Sequence, residues 1–204
     1  MHNTPNSKKG ARSLIVAGYI GLGGTAALAR NFRDKIDARF PLYLSREAAA
    51  EGDPEKLLKE EALAFEIIER FAGGKEDFLS ETETERAFLV KAGEGGFLTA
   101  MYNLAEESRM GFETDLRLVP IKQETIEICE LLEVNPYHLY CGGCLILIIR
   151  DGDILVSELE KEGIHAVVIG HTNDKKSHIL MNDGTESHLN RPEPDELERL
   201  GIKI

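Results

Sequence analysis

Twice in this chain a short apolar run leads straight into a glycine-rich turn and from there into a helix, and that order constrains the fold more than any other feature. In the first copy Ser13 to Ala17 reads as a buried strand, Gly18-Tyr19-Ile20-Gly21-Leu22-Gly23-Gly24 as the turn, and a helix follows from Thr25. Ala26, Ala27, Leu28 and Ala29 favour that helix, and Pro41 ends it near Phe40. In the second copy Ala87 to Val90 is a strand and Gly93 to Gly96 a turn. Phe97, Met101, Leu104 and Ala105 then line one helix face. Strands and helices alternating in this way need a sheet with helices laid against it.

The remaining segments fit the same plan. Asp53 caps a helix that opens on Pro54, turns Leu58, Ala62, Phe65, Ile68 and Ala72 inward, and stops at Gly73-Gly74. Lys75 to Glu85 is charged and aperiodic, which predicts an exposed loop. Phe112 to Leu118 is extended in character, and Gln123 to Leu132 is a helix with Ile128, Cys129 and Leu132 inward. Leu145 to Ile149 is apolar throughout, as in a central strand covered on both faces. A helix over 154–162 and a strand over 166–169 follow, and Asp183-Gly184 joins two short strands as a hairpin. The predicted fold class is α+β, a three-layer mixed β-sheet packed by helices. Residues 1–12 form a polar N-terminal segment and 13–204 one domain.

Charge excludes one class of partner. With 24 Lys and Arg against 36 Asp and Glu, the formal net charge of −12 repels nucleic acid unless a basic patch is concentrated somewhere. The sequence clusters only Lys8 with Lys9 and Lys175 with Lys176. No apolar run reaches the roughly 20 residues that span a bilayer, and the start is polar, so no membrane role and a cytoplasmic location are expected. Three cysteines are too few for a disulfide framework.

Three places bear on chemistry. The run Gly18, Gly21, Gly23, Gly24 and Thr25 brings backbone N–H groups and a hydroxyl to a helix start, the arrangement that takes a phosphate or nucleotide, and a plain tight turn needs the same glycines. Gly93, Glu94, Gly95 and Gly96 repeat it, with Lys91 as a cation just upstream and Glu94 as a metal holder, a base or simply solvated. Cys141-Gly142-Gly143-Cys144 has the spacing of a zinc half-site or redox pair, but the second half is missing and the histidines are scattered. No metal site is therefore expected, and the thiols read as buried. Gly-x-Ser-x-Gly, His-Glu-x-x-His and paired-carboxylate patterns do not occur, and catalytic residues stay unknown.

In order along the chain, Gly18 to Ala29, Gly93 to Ala100, Pro120 to Glu127, Asn135 to Ile146, Gly163 to Gly170 and Asn190-Arg191-Pro192 resemble the C-terminal domain shared by the aminoimidazole ribonucleotide synthetase superfamily. The likeness is nearest to its hydrogenase maturation factor branch. It implies a partner domain carrying the magnesium and ATP site, so ATP with magnesium is a cofactor only with that companion. Two departures stand out. Lys91-Ala92-Gly93-Glu94 replaces the His-Asp or Lys-Asp and Thr pattern common before the glycine pair, and the chain ends in Ile202-Lys203-Ile204 rather than in the reactive cysteine of the maturation enzymes.

The resulting expectation is a stand-alone domain that binds a nucleotide or phosphorylated small molecule, either alone or as half of a split ATP-dependent enzyme. A non-catalytic interaction module on the same fold is the alternative. The face that meets the companion domain in the family is expected to be covered in a homodimer or by the segment 75–85 folding back.

Overall fold

The computed structural model describes residues 11–73 and 87–203. Seven strands form one mixed sheet in the order β2-β4-β1-β5-β3-β6-β7. They are β1 (Ser13–Ala17), β2 (Phe88–Ala92), β3 (Gly111–Asp115), β4 (Cys144–Ile149), β5 (Ala166–Asn173), β6 (His178–Asn182) and β7 (Thr185–His188). All neighbours pair antiparallel except β3 with β6.

The pleat sorts the apolar residues into two layers. Leu14 and Val16 of β1 and Ile146 and Ile148 of β4 pack with Phe97, Met101 and Leu104 of α5 (Gly96–Ser108) on one face. Ile15, Leu145, Leu147 and Ile149 pack on the other against α4 (Pro54–Gly73) and α7 (Gly152–Lys161). β4 is buried along its whole length, as a strand covered on both faces must be. A third cluster joins α1 (Leu22–Asn31), α2 (Arg33–Arg39), α3 (Leu42–Glu51), α6 (Gln123–Leu132) and α8 (Glu196–Arg199) around Leu28, Ile36, Leu44, Ile128 and Leu197.

Several boundaries differ from expectation for local reasons. The first helix starts at Leu22, because Gly21 takes the left-handed N-cap conformation and puts Gly23 and Gly24 inside the first turn. It breaks at Phe32 into α1 and α2, and Pro41 starts α3 as well as ending α2, a helix the sequence reading passes over. Asp53 does cap α4, accepting from the N–H groups of Glu55 and Lys56 at 3.1 Å. The inward stripe of α4 is Leu57, Ala64, Ile67, Ile68 and Ala72, while Leu58 and Ala62 face solvent. Two adjacent apolar stripes share Ile68 and Ala72, and periodicity alone does not choose between them. Leu132 is only partly buried, β3 ends at Asp115, and a 3₁₀ turn covers Leu116–Leu118. At the hairpin, φ of 47° at Asp183 and 79° at Gly184 marks the primed turn that suits strand twist. The expected loop over 75–85 lies outside the described residues.

Candidate functional site

β1 and β2 both run antiparallel to β4, which lies between them, so their C-terminal ends and both glycine turns emerge at the same edge of the sheet. There the two turns grip one segment, Leu139 to Cys141. The N–H groups of Gly23 and Gly24 donate to the carbonyls of Cys141 and Tyr140 at 3.0 and 2.9 Å, and Cys141 N–H donates to Gly93 O at 3.2 Å. A side chain on Gly24 would meet that of Leu139 at 2.4 Å, so the glycine permits the close approach. Two of the free N–H groups that every helix start carries, those of Gly23 and Gly24, are here satisfied by the chain itself.

The same holds for the other expected phosphate contacts. Gly21 N–H donates to Cys141 Sγ at 3.4 Å, and Gly18 N–H to His165 O at 2.8 Å. Thr25 is buried, and its hydroxyl is 2.7 Å from Gly21 O and 2.9 Å from Thr125 Oγ1. In the second turn Gly96 N–H bonds Gly93 O at 3.1 Å, and Gly95 N–H donates to the Asp195 carboxylate at 2.8 Å. Lys91 does not join this turn. It leaves β2 on the opposite side from Val90 and Ala92 and pairs with Glu61 of α4 at 2.7 Å, as strand alternation requires. Glu94 is exposed.

Asp195 is buried at the N-terminus of α8, where it also accepts from Leu197 N–H at 2.9 Å. Burial raises its pKa above 3.8. The N–H groups of Leu197, Gly95 and Tyr140 oppose that rise, and the Glu94 charge adds to it.

The cysteine pair is closed to chemistry. Cys141 and Cys144 are fully buried free thiols; burial pushes Cys141 up to about 12 and Cys144 well above 9. Cys129 is likewise pushed up to about 12. Among the described residues no group of three or more His, Cys, Asp or Glu is placed to hold a metal ion.

What remains open is a cleft of about 240 Å³ beside the first turn, lined by Gly18, Tyr19, Lys122, Gly143, Gly163 and His165, with Glu51 and Glu60 among its remaining lining residues. Gly18 sits at φ 95°, and a side chain there would strike Gly143 O at 2.7 Å. The Tyr19 ring stacks on His165 with centroids 4.6 Å apart, and Lys122 Nζ lies 4.5 Å from the Tyr19 ring centre. His165 is fixed from behind by Glu160, whose carboxylate is 2.8 Å from Nδ1 and accepts Ala166 N–H at 3.1 Å. That backbone bond holds Glu160 below 4.5; burial opposes it, and the His165 ring adds to the lowering. Glu51 is bridged by Lys56 at 3.0 Å and Lys122 at 3.8 Å. Of the residues expected at a ligand, only Gly18 lines this cleft. Tyr19, Lys122 and His165 come from three distant segments, and no spacing announces them.

Comparison with known proteins fits this architecture. The family model described as AIR synthase related protein, C-terminal domain, matches residues 89–182. That match covers just under half of the chain. A carbamoyl dehydratase HypE of Rhizobium leguminosarum bv. viciae is 28% identical over 81 residues, 38% of this chain and 23% of that protein. The solved structure of E. coli HypE, a hydrogenase maturation protein, superposes with a TM-score of 0.60 at 19% identity over 98% of this chain and 56% of the other. A HypE in complex with ATP gives 0.58 at 17% identity, over 90% and 51%. These likenesses establish a shared AIR synthase-related C-terminal fold, and the chain spans about half the length of the solved structures it matches. Among the described residues no helix is long and apolar enough to cross a membrane.

Proposed function

We propose that the cleft at Gly18 binds a nucleotide or phosphorylated small molecule, and that the chain acts in the cytoplasm as half of an ATP-dependent enzyme whose ATP and magnesium site is supplied by a companion domain. The observation that carries this reading is the Lys122 ammonium poised over the Tyr19–His165 stack at the mouth of the cleft. The stack fixes the wall of the cleft, and the partly exposed lysine, whose Glu51 partner is as far as 3.8 Å, offers a point charge to a phosphate. The family match and the fold shared with an ATP-bound HypE support the same class of ligand. Calorimetric titration with ATP, ADP and ribose 5-phosphate is expected to show saturable heat with at least one. A folded protein silent to all three would sink the reading.

A second reading rests on the internally satisfied glycine turns. If they serve only to clamp 139–141 and Asp195, the domain is an interaction module. Co-purification from the native cell discriminates, since an ATP-domain partner supports the first reading and an unrelated partner the second. A homodimer belongs to the proposal too, through the exposed Leu58 and Leu63 of α4. A single-chain mass at all micromolar concentrations in sedimentation would exclude it.

A further inference from the structure

We propose that the groove between α1 and α3 is a docking site for an acidic amphipathic helix of a protein partner. Ala29, Ala49 and Ala50 form part of a groove of about 490 Å³ whose walls carry Arg30, Arg33 and Arg46, and none of its lining residues is acidic. In a chain of net charge −12, three guanidiniums around one groove are a local reversal of sign. Arg30 and Arg46 make no ion pair among the described residues, and Arg33 reaches Asp37 at only 3.4 Å, while Asp37 also accepts the Ser45 hydroxyl. Guanidiniums left without a carboxylate retain the planar, bidentate donors that suit one.

The groove also continues into apolar surface. Leu42, Arg46, Ala49 and Ala50 recur at helical spacing and share one stripe of α3, and Leu42 with its neighbour Tyr43 is 54% and 63% exposed. Large exposed apolar side chains beside unpaired arginines make the composition that anchors a partner protein, whereas a free phosphate would use the arginines alone. The small alanine floor lets a helix backbone approach, the helix-in-groove mode of recognition. The groove shares no lining residue with the cleft at Gly18.

The test uses a fluorescein-labelled helical peptide of about 15 residues made of Leu, Ala and Glu, with its glutamates on one face. Anisotropy is expected to rise saturably with the intact chain. Replacing the peptide glutamates by glutamine, or introducing Arg30→Glu with Arg46→Glu, or Leu42→Ala with Tyr43→Ala, should each weaken binding roughly tenfold or more. All four positions are solvent-exposed, and circular dichroism verifies folding; the single Arg46→Gln variant serves if a double variant is unfolded. Absent binding, equal binding by all variants, or binding abolished by low inorganic pyrophosphate and indifferent to Leu42→Ala with Tyr43→Ala would each overturn the proposal, the last in favour of a small-anion site.

Discussion

The Asp195 carboxylate sits 2.8 Å from the backbone N–H of Gly95, one hundred residues away, and fills with an internal anion the turn that a phosphate was expected to fill. It ties the C-terminal segment to the start of α5 while Leu197 anchors α8 in the helical cluster.

Asp195→Ala leaves the N–H groups of Gly95 and Leu197 without acceptors, and stability should fall by about 1–3 kcal/mol in chemical denaturation. Hydrogen exchange is expected to speed up at Gly95 and Leu197 before the central strand β4 responds. Unchanged exchange at both amides would mean the contact does not hold the tail.

The raised Asp195 pKa has a definite sign in stability. A carboxyl that is a weaker acid when folded binds more protons in the native state. Its contribution is therefore fully present below 3.8 and is lost as pH rises through the higher folded value. Asp195→Asn removes this titration, so the difference in stability between the two proteins should vary with pH in that acidic window and be flat above it. A constant difference across the window would refute the assignment.

Burial and raised pKa values make all three cysteines inert in the native state. Iodoacetamide at pH 8 should leave the folded protein unlabelled and modify three thiols per chain in denaturant, read by mass spectrometry. Rapid labelling of Cys141 or Cys144 in the folded protein would reopen a redox role for the pair.

Gly18→Ala places a side chain at φ 95° and against Gly143 O, for a cost of roughly 1–3 kcal/mol from the backbone alone. Thermal unfolding should show a lower midpoint, and ligand binding in the cleft should weaken with it. An unchanged midpoint would mean the turn relaxes freely.

Local order was legible because it depends on neighbours. The limits of β1 and α6, the inward face of α5, the Asp53 cap and the Asp183-Gly184 turn follow from residue pattern. The site was harder because glycine patterns report backbone geometry without saying what the backbone approaches. The sequence of Gly21 to Gly24 is the same whether a phosphate or the carbonyls of Tyr140 and Cys141 lie opposite. Likewise Arg30, Arg33 and Arg46 never form a basic run; only the packing of α1 against α3 makes them a patch. Lys122 and His165 meet Tyr19 through contacts more than a hundred residues apart, which no local window contains.

The central claim, a ligand in the cleft at Gly18, is tested most directly by nitrogen–proton correlation spectra recorded during titration with ATP. Saturable shifts at the amides of Gly18, Tyr19, Gly163 and His165 are expected, weakened roughly tenfold by Lys122→Ala, the loss of about one charge-assisted contact. Shifts absent from these residues, or confined to Gly95 and Gly96 or to the groove of Arg30 and Arg46, would contradict it.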